Sequence, residues 1–207
     1  MVAALFDLDG VVVDTESQYS VFWNEMGKKY FPDKKNFADE IKGQTLIYII
    51  SKYFSGIASP EEIKQSLNEF EHRMQFPYIP GVLNYIRSLR EANTPLAVVT
   101  SSNMAKMNCL YAAHPEFQEM FTHIFTSEDA QRSKPAPDCY LHAAEVLQVP
   151  ISDCVVFEDS LNGLQAGRSA GAKVVGLTTS LQADVIRPLC DFLIPDFTYI
   201  DSIKEYI

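Results

Sequence analysis

Short apolar runs recur along the chain at residues 2–6, 96–99, 124–125, 154–157, 173–177 and 192–194. Each has strand length and is bounded by polar or turn-forming residues, which predicts buried strands. Between them the period changes to that of helices, at residues 82–92, 104–112, 138–147, 161–170, 183–189 and 200–206. Pro137 is placed to open the helix at 138–147. Strands alternating with helices predict βαβ units and a parallel sheet covered on both faces. Sheets of this kind bind ligands beyond the carboxyl ends of their strands.

One interval breaks the alternation. From Glu16 to about residue 75 there is no strand signal. Thr15 to Gln18 has the form of a capping box, so a helix is expected from Glu16, with Tyr19, Phe22, Trp23 and Met26 on one apolar face. Pro32 and its charged neighbours end it, and Lys42-Gly43-Gln44-Thr45 reads as a turn. Leu46, Ile49, Ile50 and Tyr53 give a second helical stripe. Ser59-Pro60 starts a third helix through Ile63, Leu67 and Phe70. Pro77 to Gly81 reads as the exit hinge. The expected organisation is an α/β core of residues 1–15 and 78–207, with a small helical domain inserted at 16–77.

Composition narrows the possible functions. At 207 residues, 47% apolar and 21% charged, the chain suits a folded core with a small insert. A net charge of -10 disfavours binding to nucleic acid or anionic membranes. It does not bar a small anionic substrate, because a metal ion and one or two cations reverse the field locally. Cys109, Cys139, Cys154 and Cys190 are scattered with no C-x-x-C pair, which fits reduced packing thiols. No signal peptide pattern and no bilayer-length apolar run is present, so a cytoplasmic protein is expected. His72, His114, His123 and His142 show no partner pattern and read as surface or packing residues. Neither a monomer nor a dimer is favoured.

The chemistry gathers where the apolar runs end. Residues 2–6 lead into Asp7-Leu8-Asp9-Gly10. Side chains alternate along a strand, so Asp7 and Asp9 share a face if the extended form persists through Leu8. Paired buried carboxylates need a cation or a proton between them. Residues 96–99 run into Thr100-Ser101-Ser102-Asn103 at a helix start. Such hydroxyls and free N–H groups suit either a helix cap or a phosphate, and the two roles are compatible. Lys134 precedes Pro135-Ala136-Pro137-Asp138, whose prolines stiffen the backbone that carries it, whereas Arg132 reads as solvent-exposed. Residues 154–157 end in Glu158-Asp159-Ser160, followed by Gly163 and Gly167, which would let the next helix pack closely.

Together these segments resemble, in order, the motifs of the haloacid dehalogenase (HAD) superfamily. Residues 7–15 match D-x-D-G-x-x-x-D-[ST], and Thr100 matches the single Ser/Thr of the second motif. Residues 134–138 match K-P-x-P-[DE] of the subgroup with a helical cap, and 155–163 match V-x-[FG]-[ED]-D-S-x-x-G. The helical insert lies where that superfamily carries its type C1 cap. Within the superfamily the chain looks most like the group of β-phosphoglucomutase and sugar-phosphate phosphatases.

The resemblance implies a Rossmann-like HAD core and an aspartyl-phosphate mechanism. Asp7 would be the nucleophile and Asp9 the general acid and base. Mg²⁺ would be held by Asp7, the backbone carbonyl of Asp9, and Asp159, with Glu158 either a direct ligand or a supporting group. Lys134, Thr100, Ser101, Ser102 and Asn103 would bind the phosphate, with Gln44 and Thr45 as insert residues facing substrate. Dehalogenation is not expected, because its enzymes lack the second aspartate and the Glu–Asp pair. In β-phosphoglucomutase an arginine after a loop like residues 42–45 grips the distal phosphate; here that place holds Leu46. Leucine cannot replace a bidentate guanidinium, although Lys52, Lys64 or Arg73 are other possible anchors. The expected activity is therefore a Mg²⁺-dependent phosphatase of a small sugar or sugar-alcohol phosphate. A β-phosphoglucomutase-like hexose-phosphate mutase is the alternative, and a noncatalytic phosphate-binding protein on this fold is a third.

Overall fold

A computed structural model of the chain describes residues 3–41 and 46–204. The residues fall into two compact units, Met1–Asp14 with Phe76–Ile207, and Thr15–Gln75.

The larger unit is built on a parallel sheet of six strands. They are β1 (Ala3–Phe6), β2 (Leu96–Val99), β3 (His123–Phe125), β4 (Cys154–Glu158), β5 (Lys173–Leu177) and β6 (Phe192–Ile194), in the order β3-β2-β1-β4-β5-β6. The chain winds outward from β1 in one direction and then, from β4, in the other. The reversal leaves a crevice at the carboxyl end of β1, the central strand of that winding. Phe6 lies opposite Val98 on β2 and Phe157 on β4.

Strand alternation explains why the runs at β1, β2 and β4 are apolar throughout. On one face Ala3, Leu5, Ala97, Val99, Val156 and Val174 join a core with Tyr140, Ala143 and Leu164. These three come from α7 (Asp138–Val146) and α8 (Leu161–Ala170). A Cβ on Gly167 would sit 3.1 Å from the side chains of Val156 and Val174, so α8 lies close on the sheet. On the other face Phe6 stacks on Phe157, with ring centroids 4.8 Å apart. Tyr85, Phe121 and Phe197 close around Phe6. Tyr85 is carried by α5 (Val82–Glu91), whose apolar stripe covers this face.

The smaller unit contains α1 (Glu16–Tyr30), α2 (Phe37–Ile41), α3 (Leu46–Ile49) running into a π-helical turn at Ile50–Phe54, and α4 (Pro60–Glu71). Its core is Phe22, Trp23, Met26, Phe37, Ile50, Phe54, Ile63 and Leu67. Ser59 caps α4 by accepting from the Glu62 N–H, with Pro60 in the first turn.

Local details differ from the sequence reading. The Thr15 side chain does not make the capping hydrogen bond, because Thr15 is near-helical (φ −114°, ψ −15°) and not extended as a cap residue is. The short helix α2 is unanticipated. It forms because Phe37 is drawn into the core against Gly27, where a Cβ would sit 2.5 Å from that of Phe37. The stretch at 183–189 is helical only over Ala183–Ile186 (α9) and then tightens into a 3₁₀ turn at Arg187–Leu189, where Pro188 cannot donate. Among the described residues the last element is a 3₁₀ turn at Phe197–Ser202, between α5 and β6; the helix expected at 200–206 is not α-helical over 200–204, and its remainder lies outside the described residues. Asp196 holds it by accepting from the Thr198 N–H. The remaining long helix, α6 (Met104–Ala113), follows β2. All four cysteines are free thiols. Among the described residues no helix is long and apolar enough to cross a membrane.

The Tyr85 hydroxyl is buried and has no hydrogen-bond partner among the described residues. Burial pushes its pKa upward. An unpaired buried hydroxyl is a net cost, so Tyr85→Phe is expected to stabilise the protein by about 1 kcal/mol in urea unfolding. A destabilised variant would mean that the hydroxyl is hydrated.

Candidate active site

The end of β1 sets the geometry. The Asp7 N–H still donates to the Phe157 carbonyl at 3.0 Å, so the ladder reaches Asp7. Beyond it the chain folds back on itself, with the N–H groups of Val12 and Val13 donating to the Leu8 carbonyl at 2.8 and 3.0 Å. The sheet therefore does not continue through Leu8. Gly10 has φ +73°, and a Cβ there would lie 2.0 Å from Asp159 Oδ2. Glycine is required at this position both for the turn and for room beside Asp159.

Asp7 Oδ1 accepts from Lys134 Nζ at 2.6 Å. Lys134 also donates to Glu158 Oε1 at 2.8 Å and to the Val99 carbonyl at 2.9 Å. One ammonium thus ties together the ends of β1, β2 and β4. Burial raises the Asp7 carboxyl to about 7 although Lys134 opposes it, with Glu158 and Asp9 adding to the rise. Burial also works against the Lys134 charge, but Asp7 and Glu158 outweigh it and hold Lys134 well above the usual lysine range.

Glu158 is fully buried at the end of β4. Its Oε1 receives Lys134 and the Tyr140 hydroxyl, and its Oε2 receives the N–H groups of Asp159 and Ser160 and the Ser160 hydroxyl. Both oxygens are thus already engaged by protein donors. Gly163 makes space for this carboxylate, since a Cβ there would lie 1.6 Å from Oε1. Gly163 therefore serves Glu158, whereas Gly167 serves helix packing. Asp159 Oδ2 accepts from the Ser180 hydroxyl, and Thr179 donates to the Gly10 carbonyl at 2.5 Å.

Asp7, Glu158 and Asp159 each offer a carboxylate oxygen within 4.8 Å of the others. Lys134 is the ammonium paired within this set. Hard oxygen donors so gathered suit Mg²⁺. With the Glu158 oxygens occupied, Asp7 and Asp159 are the better-placed ligands and Glu158 the better support.

Asp9 is held on a different side. Its Oδ1 accepts from Lys106 Nζ at 2.5 Å and its Oδ2 from the Ser102 hydroxyl at 3.0 Å. The Thr100 hydroxyl accepts from the Ser102 N–H at 3.0 Å, and Asn103 caps α6 by accepting from the Lys106 N–H. Ser101 is exposed. Arg132 is largely exposed and forks onto Asp138 at 2.9 and 3.0 Å. Gln44 and Thr45 lie outside the described residues.

Sequence reasoning did not single out Lys106, Tyr140, Thr179 or Ser180. Thr179 and Ser180 follow a predicted strand, so their hydroxyls stood at a carboxyl strand end like those after β2. Lys106 left a weaker trace, as a charge on the same helix face as Leu110.

Comparisons with known proteins follow the same lines. Residues 4–177 match the family model described as haloacid dehalogenase-like hydrolase. Glycerol-1-phosphate phosphohydrolase 1 of Saccharomyces cerevisiae is 28% identical over 99% of this chain and 85% of its own length. A probable pseudouridine-5'-phosphatase of Drosophila melanogaster is 32% identical over 91% of this chain and 90% of its own. The crystal structure of a HAD hydrolase, family IA, variant 3, from Entamoeba histolytica superposes with a TM-score of 0.84. It is 25% identical and covers 99% of this chain and 100% of that one.

Removing the Lys134 ammonium would leave Asp7 and Glu158 buried without their shared cation. Lys134→Met is expected to cost about 3–5 kcal/mol in urea unfolding, and adding Glu158→Gln is expected to recover part of it. Equal stability of Lys134→Met and the wild type would show that the ammonium does not hold the site together.

Proposed function

The chain belongs to the haloacid dehalogenase-like hydrolases, and we propose that it is a Mg²⁺-dependent phosphatase of a small phosphorylated sugar or sugar alcohol, acting through a phosphorylated Asp7. The observation that carries this reading is the buried Asp7 carboxylate. It is fixed by Lys134 and set against a second acid, Asp159, whose oxygens lie close enough to share one cation.

Phosphate monoesters hydrolyse very slowly, so the site must supply most of the rate. Asp7 attacks phosphorus, and the ester oxygen leaves. Carboxylate and phosphate repel, and a Mg²⁺ bound by Asp7, Asp159 and the Asp9 carbonyl, with Glu158 in support, would supply the neutralising charge. Lys134 offsets charge on Asp7 and on the phosphoryl oxygens. The Thr100 and Ser101 hydroxyls and nearby N–H groups bind the other oxygens, while the Ser102 hydroxyl and N–H donate to Asp9 and Thr100. Asn103 shapes this turn as the α6 cap. Asp9 gives a proton to the departing alkoxide and then takes one from the water that cleaves the phosphorylated Asp7.

The substrate class draws on two supports. The relatives named above are by name a glycerol-1-phosphate phosphohydrolase and a probable pseudouridine-5'-phosphatase. Position 46 carries leucine, which offers no bidentate grip on a second phosphate of the kind a mutase intermediate needs. We propose the helical unit as the counterpart of the superfamily's cap, with Gln44 and Thr45, which lie outside the described residues, as substrate contacts.

Phosphate release across a panel of polyol, sugar and nucleoside monophosphates tests this reading. Activity is expected on one or a few of them, to require Mg²⁺, and to vanish with EDTA. Conversion of β-glucose 1-phosphate to glucose 6-phosphate with little phosphate released would replace the phosphatase by a mutase. Asp7→Asn is expected to abolish turnover, whereas Asp9→Asn should keep Mg²⁺ binding, read by calorimetry, because Asp9 binds through its main chain. Full turnover by Asp7→Asn would remove the nucleophile assignment.

A further inference from the structure

Lys106 has no part in the scheme above, and its surroundings are unusual for a lysine. It lies on the buried face of α6 beside Met107 and Leu110 and is 4% exposed. A buried ammonium is costly unless paired, and the partner here is Asp9. Lys106 holds one carboxylate oxygen of Asp9 while Ser102 holds the other.

Ser102, in the turn before α6, and Lys106, in the first turn of α6, are fixed together by a set of hydrogen bonds. The Ser102 N–H is bound by Thr100, the Lys106 N–H by Asn103, and the Met104 N–H by Glu128 at 3.2 Å. The turn that presents Thr100 therefore also sets the direction of the Asp9 carboxylate. We propose that Lys106 is a positioning residue for Asp9, fixing the carboxylate that exchanges protons with the leaving group and with water. This role rests on the phosphatase reading. A misplacement of about 1 Å in a reacting group costs on the order of 100-fold in rate, which is the effect at stake.

The test is Lys106→Met assayed with 4-nitrophenyl phosphate and with the best alkyl phosphate. In the first step an Asp7 oxygen bonds to phosphorus as the P–O(aryl) bond breaks, and nitrophenolate departs with the electron pair and needs no proton. In the second step water attacks phosphorus, its proton passes to Asp9, and the bond from phosphorus to Asp7 breaks. A misdirected Asp9 slows the second step more than the first. The variant is expected to release about one equivalent of nitrophenolate in a burst, then turn over about 100-fold more slowly than wild type, with KM changed less than about threefold. Alkyl phosphates should lose kcat without a burst, because their first step also needs Asp9. Lys106→Gln, which keeps a donor, should recover part of kcat, and it carries the kinetic test if Lys106→Met does not fold.

Wild-type kcat in the variants, or a rise in KM with kcat unchanged, would overturn the role. A urea-unfolding cycle of Lys106→Met, Asp9→Asn and the double variant reads the ion pair without turnover. Strictly additive effects would overturn the pairing itself. A wild-type protein that releases no phosphate from any substrate would instead fail the phosphatase reading and this role with it, while the unfolding cycle still reported on the pair.

Discussion

The structure depends most on one buried ammonium. Lys134 lies where β1, β2 and β4 end, and it binds an acid from β1, a carbonyl from β2 and an acid from β4. Without a cation at that point Asp7 and Glu158 would repel across a space too dry to screen them. The sheet order brings these ends together, because the winding reverses at β1 and gives it β2 on one side and β4 on the other. Lys134 arrives from outside the sheet, on the segment between β3 and α7. The fold supplies the convergence of strand ends, and the ion pairs hold them at hydrogen-bond distance.

Clearances matter as much as charges. The site keeps two carboxylates, Glu158 and Asp159, against backbone that has no Cβ. Gly163 stands over Glu158 and Gly10 over Asp159, and neither position has room for another carbon. Each of these two motif glycines makes space for an acid, and at Gly10 the turn requires glycine as well. Gly167, one helical turn after Gly163, meets only valine side chains at 3.1 Å and is the packing residue of the pair.

Much of this was legible in the sequence, for a physical reason. Residues such as Asp7, Thr100 and Glu158 stand next to apolar runs, and in a parallel sheet the end of a run is the end of a strand, where ligands bind. Lys134 was legible through its prolines. What the sequence hid were contacts made across the fold. Tyr140 lies on α7 as one aromatic among many, and only the packing of α7 on the sheet brings its hydroxyl to Glu158. The sequence pattern assigns Phe37 to no element, and in the structure its burial against Gly27 goes with a short helix at Phe37–Ile41. The capping box at Thr15 failed in the other direction. A local pattern was present, but the backbone entering α1 took a conformation that does not use it.

The two aspartates of the β1 loop show how one short motif is divided between two sets of partners. Asp7 and Asp9 are two residues apart, and equal surroundings would give them equal chemistry. They differ because each has its own lysine. Asp7 takes Lys134 from the β3 side and shares it with Glu158. Asp9 takes Ser102 from the turn after β2 and Lys106 from α6, and both of its oxygens are occupied. The loop bonded to the Leu8 carbonyl turns the two side chains toward these different partners. A straight strand through Leu8 would have sent both toward the same one. The break in the strand after Asp7 thus gives the two carboxylates separate partners, as the proposed division between nucleophile and proton carrier requires.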